Sequence, residues 1–163
     1  MTVQSFYTTV LMKDIRFHST TPIRDVSLLE PATRDAVMKI ITNAGQAGIH
    51  FQVLETFRSQ ELQQLYFEKG VTQLRTVGVH HYGLACDLGI VVAGQVQWKA
   101  DYSVLGRYAK MFNLVWGGDW GNPAITHSFQ DDDHVQRIAV ADQDKLFDGS
   151  WYPDPSYVAP GVG

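Results

Sequence analysis

Apolar residues recur at three- and four-residue intervals in three stretches of the chain. Val37, Ile40, Ile41 and Ala44 fall on one stripe of a helix, with Pro31 suited to its first turn and Gly48 to its stop. Ser27 to Glu30 has capping-box spacing, so this helix is predicted over about 29–47. Ser59 caps a second helix that carries Leu62, Leu65 and Tyr66 and ends at Gly70. Asp101 or Ser103 opens a third, with Leu105, Tyr108, Ala109 and Phe112 on its apolar side. Strand-like runs lie between them: His50 to Phe57, Leu84 to Val92, Leu114 to Trp116 and His134 to Ile138. Residues 1–27 have weak periodicity and read as irregular or short-strand structure, and Gly78 to Gly83 reads as a loop. The tail from Trp151, with Pro153, Pro155 and Pro160, reads as an extended wrap or a loose end. Helices mixed with non-adjacent short strands predict an α+β fold.

One residue breaks the pattern. Asp87 interrupts the nearly continuous apolar run Leu84 to Val92, and a buried carboxylate must be paired, hydrogen-bonded or bound to a metal. His80 precedes it by seven residues, in a loop that can fold back beside it. Both a core histidine–carboxylate hydrogen bond and a metal site fit that spacing. A second cluster, Phe129 to His134, places three aspartates directly before a histidine. With His134 on a metal, Asp131 would be a base beside the metal-bound water; the plainer alternative is an acidic surface turn. A third candidate is Arg58, at a strand-to-helix junction, where a guanidinium suits a substrate carboxylate or an oxyanion. The alternative there is an ordinary surface arginine.

Composition narrows the choices. The chain has 163 residues, 45% of them apolar and 18% charged, which fits one globular domain and excludes a disordered chain. A net charge of −4 and a pI near 5.8 argue against a nucleic-acid partner. A single cysteine, Cys86, excludes a disulfide framework and a thiolate cluster, so any metal must be held by His, Asp or Glu. Strand alternation turns Cys86 away from Asp87, which makes it a small core residue. Six histidines are available, of which His18, His50 and His127 show no partner pattern. Trp98, Trp116, Trp120 and Trp151 read first as packing residues, with Trp116 or Trp120 the ones to line a cleft and sugar stacking the alternative role. No apolar run reaches the ~20 residues of a membrane span, and the N-terminus lacks a secretory leader. Synthesis in the cytoplasm without a Sec signal, and no membrane insertion, are therefore expected.

Taken together the motifs resemble the hedgehog/DD-peptidase-like zinc metallopeptidases. The segment His80-His-Tyr-Gly83-Leu-Ala85-Cys-Asp87 matches the family's H-x-x-G-x-A-x-D core. Phe57-Arg58-Ser59 with Gln63 is similar to its upstream Y/F-R-S-x-x-x-Q element, and Trp116-Gly-Gly-Asp119-Trp120 followed by Asp131-x-x-His134 to its closing element. The detail is most similar to the L-alanyl-D-glutamate peptidases of phage endolysins, and it covers about residues 29–138. The resemblance implies one zinc peptidase domain over 1–163, an α+β fold with a small, mainly antiparallel sheet flanked by about three helices, with 151–163 as an extended tail. It implies one Zn²⁺ held by His80, Asp87 and His134, with Asp131 as general base and then proton donor. Arg58 would contact substrate and the developing oxyanion. Spacing within the motif selects His80 over His81, and Asp131 over Asp132 and Asp133. Ser59, Gln63, Tyr82, Asp119 and Trp116 are weaker substrate-binding candidates. Gly78 stands where the family has a serine.

The implied activity is hydrolysis of the peptidoglycan stem peptide at the L-Ala–D-Glu bond, by a monomeric enzyme of the endolysin kind released by a holin. Dedicated export and cytoplasmic muropeptide recycling are the alternative settings. The rival activities are a D,D- or L,D-carboxypeptidase and, in another class, a non-catalytic zinc-stabilised binding domain.

Overall fold

A computed structural model describes residues 5–121 and 130–162. Three longer helices form where the periodicity places them: α2 (Pro31–Gln46), α3 (Gln60–Glu68) and α4 (Ser103–Met111). Two short helices join them, α1 (Phe6–Thr9) and α5 (Gln143–Phe147). Four or five residues are too few to show a 3.6-residue period, so neither was legible in the pattern. Residues 5–28 are short helical turns joined by irregular backbone, with no strand among them.

Ser59 caps α3 as expected, its hydroxyl accepting the Leu62 amide at 2.9 Å. The start of α2 differs from expectation. Its cap is Glu30, whose carboxylate accepts the amides of Ala32 and Thr33. Asp25, not Ser27, caps the preceding turn Val26–Leu28. The reason is Pro31: the residue before a proline is pushed to extended backbone, so Glu30 cannot sit inside a helix.

The strands are β1 (His50–Glu55), β2 (Ala85–Val92), β3 (Gln95–Val96), β4 (Val115–Trp116) and β5 (His134–Gln136). They form an antiparallel sheet in the order β1-β2-β5-β4, with β3 paired to the end of β2. The β2–β3 hairpin turns through Ala93 and Gly94, both at positive φ. Alternation divides β2 cleanly. Cys86, Leu88 and Ile90 face a core built with Val37, Ile40 and Ala44 of α2 and Leu105 and Ala109 of α4. Burial there pushes the Cys86 thiol pKa well up, leaving it inert. The other face of β2 carries Asp87.

The C-terminal tail wraps the domain. Arg137, next to β5, pairs with the buried Glu30 at 3.1 Å and donates to the carbonyls of Tyr157 and Asp154 at 2.9 and 2.6 Å. One buried guanidinium thus joins the cap of α2 to the tail. No helix among the described residues is long and apolar enough to cross a membrane.

Candidate active site

Register brings the first side chains together. Glu55 lies opposite Asp87, and Asp87 opposite His134, across β1, β2 and β5. Directly opposed residues point to the same side of a sheet, so these three share the face away from α2 and α4. His80 arrives from the turn Val79–Tyr82, which is closed by Gly83 at φ 72. A Cβ at Gly83 would meet the Leu28 carbonyl at 2.8 Å and the Glu30 nitrogen at 3.3 Å. The backbone packs that tightly because the Glu30 amide donates to the Gly83 carbonyl. The turn that carries His80 is thereby fixed to the start of α2.

His80, Asp87 and His134 each offer one ligand atom, and the three atoms lie within 4.8 Å of one another. His80 Nε2 and His134 Nδ1 approach the same Asp87 oxygen at 3.2 and 3.0 Å. The opposite ring nitrogens are occupied. His80 Nδ1 donates to the Thr56 carbonyl at 2.8 Å, and His134 Nε2 to Gln136 Oε1 at 3.0 Å. Gln136 is itself oriented, its amide nitrogen donating to the Ile138 carbonyl at 2.7 Å. These outer bonds leave the inward nitrogens available to a metal ion.

Burial alone would raise the Asp87 pKa, but the charges and hydrogen bonds of His80 and His134 hold it well below the usual carboxylate range. Burial would lower His134, yet the hydrogen bond and charge of Asp87 push it up to about 9. The proton shared there is one a divalent cation displaces. Two imidazole nitrogens and one carboxylate oxygen, with room for a fourth ligand, is a donor set that fits Zn²⁺.

The cluster opens on a cavity of about 240 Å³ lined by Arg58, Gln63, Leu74, Trp120, Asp131 and Gln136, among others. Asp131 is in that wall, Asp132 is exposed and Asp133 is half-buried. Burial, the charge of Asp87 and a hydrogen bond with Asp131 push the Asp133 carboxyl up to about 8. The acidic loop is held by its backbone: the Asp131 amide donates to the Gly117 carbonyl, the Leu88 amide to Asp133, and the Trp116 indole to Asp132. Arg58 is held by its side chain. Glu55 Oε1 accepts from Arg58 Nε at 2.6 Å and also pairs with Nη2, while Gln63 Oε1 accepts from Nη1 at 3.0 Å. Asp87 Oδ2 lies 3.8 Å from Nη2.

No family model matches the sequence, and no curated protein matches it. Solved structures do. The L-Ala D-Glu endopeptidase ChiX of Serratia marcescens is 26% identical, with 77% of this chain and 91% of that one covered and a TM-score of 0.53. The D,D-pentapeptidase VanY of a VanB-type vancomycin-resistance cassette, in complex with Zn(II), is 17% identical over 74% and 78% of the two chains, TM-score 0.52. An L,D-carboxypeptidase, DacB of Streptococcus pneumonia, is 20% identical over 74% and 72%, TM-score 0.51. The fold is that of the hedgehog/DD-peptidase-like zinc peptidases.

Several residues that the superfamily motifs single out sit elsewhere. The Ser59 hydroxyl is spent on capping α3 and on the Ser19 carbonyl. Tyr82 lies outside the cavity wall, on the other side of its turn. Trp116 is packed between Gly106 and Gly118 and braces the acidic loop, while Trp120 lines the cavity and lies 5.0 Å from the His134 ring. Asp119 pairs with Lys110 at 3.0 Å. Gln63 does reach the cavity: it holds Arg58 with its oxygen, and Thr72 and the Leu74 carbonyl with its nitrogen. A Cβ at Gly78 would press on Gln63 Oε1 at 3.2 Å, so the departure from serine makes room for this amide. His18 pairs with Glu61 at the surface, His50 is exposed, and His127 lies outside the described residues.

Three site residues went unread in the sequence. Glu55 and Gln136 were visible only as polar positions two or three residues from Arg58 and His134. Gln143, on α5, meets Gln136 at 3.2 Å from across the fold, and only tertiary contact reveals it.

Proposed function

We propose that this protein is a zinc-dependent peptidoglycan peptidase that cuts the stem peptide internally, at the L-Ala–D-Glu bond. The observation that carries the reading is the buried His80–Asp87–His134 cluster opening on a cavity whose wall includes a carboxylate and a guanidinium. His80, Asp87 and His134 would hold Zn²⁺, which when bound acidifies a water and polarises a carbonyl. Asp131 takes a proton from the attacking water and returns it to the leaving amine. Arg58 keeps two N–H groups beyond those given to Glu55 and Gln63, and these donate to the developing oxyanion. The buried Glu55 carboxylate balances the Arg58 charge, so the guanidinium acts as an aimed donor.

The similarity to ChiX, an L-Ala D-Glu endopeptidase, supports an internal cut at this bond. Digestion of purified muropeptides followed by mass spectrometry tests it. Products ending in L-alanine on the muramic side are expected, with cleavage abolished by chelation. Loss of only a terminal D-alanine would assign a carboxypeptidase. Stoichiometric zinc without any cleavage would assign a binding domain.

A further inference from the structure

Gln143, the first residue of α5, lines the catalytic cavity but takes no part in the reaction proposed for it. The residue is 8% exposed, and its orientation is dictated link by link. The Ile138 carbonyl can only accept, so the Gln136 atom 2.7 Å from it is the amide nitrogen. The Gln136 oxygen then faces His134 Nε2, which carries a proton there, and His134 Nδ1 is left on the Asp87 side. The second N–H of Gln136 meets Gln143 Oε1 at 3.2 Å. What remains is Gln143 Nε2, a donor with no acceptor among the described residues. It is not sealed from solvent, and it belongs to a side chain of the cavity wall.

The same contacts order the site from end to end. Arg58 Nη2 lies 3.8 Å from Asp87 Oδ2, and Asp87 Oδ1 lies 3.0 Å from His134 Nδ1. His134 Nε2 continues to Gln136, and Gln136 to Gln143. Arg58 and Gln143 are therefore the two ends of one polar chain, with metal ligands between them. The backbone of Gln143 is anchored as well. Asp142, immediately before it, accepts from the Tyr157 hydroxyl at 2.7 Å and from Lys145 at 3.0 Å. A donor held this way loses little freedom when a ligand uses it.

We propose that Gln143 Nε2 donates to the free α-carboxylate of the D-glutamyl residue on the leaving side of the scissile bond. This role rests on the L-Ala–D-Glu reading and names the residue that helps select that bond. With the scissile carbonyl at the metal, Arg58 is committed to Glu55, Gln63 and the developing oxyanion. The D-glutamyl α-carboxylate hangs from the carbon bonded to the scissile nitrogen, and it needs a donor of its own once water has left the cavity. Gln143 supplies one at the end of the chain away from Arg58.

The test compares two synthetic stem peptides on the zinc-loaded full chain. One has D-glutamate after L-alanine, and the other has γ-aminobutyrate there, the same residue without its α-carboxylate. Gln143→Glu keeps an oxygen for Gln136 and replaces the donor by an acceptor; Gln143→Leu serves where the glutamate variant fails to fold. On the D-glutamate peptide the variant is expected to lose about 10–100-fold in kcat/KM, mainly through KM, the worth of one hydrogen bond to a charged group. On the γ-aminobutyrate peptide the loss should stay within a few-fold. Zinc affinity, read by chelator competition, should also stay within a few-fold, because the Ile138 carbonyl still orients Gln136. Equal losses on the two peptides, or no loss on either, overturn the proposal. So does a large drop in zinc affinity, which would make Gln143 a support for His134 instead. Failure of the wild type to cut the D-glutamate peptide after L-alanine would overturn the L-Ala–D-Glu reading itself, whereas normal cutting with equal losses overturns only the role of Gln143.

Discussion

The two sides of the Val79–Tyr82 turn make opposite use of adjacent histidines. His80 enters a polar cluster, where its ring is fixed by the Thr56 carbonyl and faces Asp87. His81 enters an aromatic one, with Tyr7, Phe17, Phe57 and Tyr82 all within 5.6 Å of its ring centroid. Burial lowers the His81 pKa, so its neutral ring donates to the Arg58 carbonyl and accepts from the Tyr7 hydroxyl. One side is built to hold a charge and the other to exclude it. The difference teaches that burial alone does not mark a ligand, since both residues are more than nine-tenths buried. What marks it is the chemistry the ring faces.

Variants can break this contrast at successive depths. His80→Ala should cost on the order of a thousandfold or more in zinc affinity, because it deletes one of three protein ligands; competition with a chromogenic chelator reads it. Asp131→Ala should keep zinc and lower kcat by roughly 10²–10⁴-fold, the usual worth of a positioned base, in a muropeptide assay. Full activity in that variant would remove Asp131 from the mechanism. Gln136→Leu should weaken zinc by about 10–100-fold, since it frees the His134 ring to turn, and chelator competition again checks it. His81→Ala should leave zinc affinity within a few-fold while destabilising the domain by about 2–4 kcal/mol, read by denaturant unfolding. If it instead abolished zinc binding at intact stability, the roles of the two histidines would be reversed.

The smallest effect belongs to the outer edge of the aromatic side. There Arg16 pairs with Asp25 at 2.8 Å and, with the Ser27 amide, lowers the Asp25 pKa from 3.8 to about 2. A carboxyl depressed on folding adds stability above its unfolded pKa and loses it as pH falls through the folded one. Thermal stability should therefore drop between about pH 4 and 2 by less in Asp25→Asn than in the parent. The pair is more than a third exposed, so the difference should stay under about 1 kcal/mol.

Much of the fold was legible because its signals are local. The 3/4 spacing of Val37, Ile40 and Ala44 located α2, and the Ser59 hydroxyl located the start of α3. The alternation around Asp87 told its face from that of Cys86 before any contact was known. The capping of α2 was misplaced because the capping-box pattern was weighed without the restriction Pro31 puts on Glu30. Side-chain destinations were harder. Ser59, Tyr82 and Trp116 all lie in motif segments, yet a hydroxyl or a ring near a ligand in sequence can turn towards a helix cap, an aromatic cluster or a loop backbone.

By itself the sequence determined the order of the longer elements, the α+β class and the residue types from which a metal site had to be made. With one cysteine, only imidazole and carboxylate were open to it. The tertiary structure alone decided the rest. Pairing of β1 with β2 set Glu55 beside Asp87 and so balanced Arg58, and pairing of β2 with β5 set His134 opposite that same aspartate. Arg137 decided that the tail is wrapped rather than loose. The physical reason is range: a cap or a 3.6-residue period is written within one turn of chain, whereas a register, a buried ion pair or a cavity wall exists only after distant segments have met.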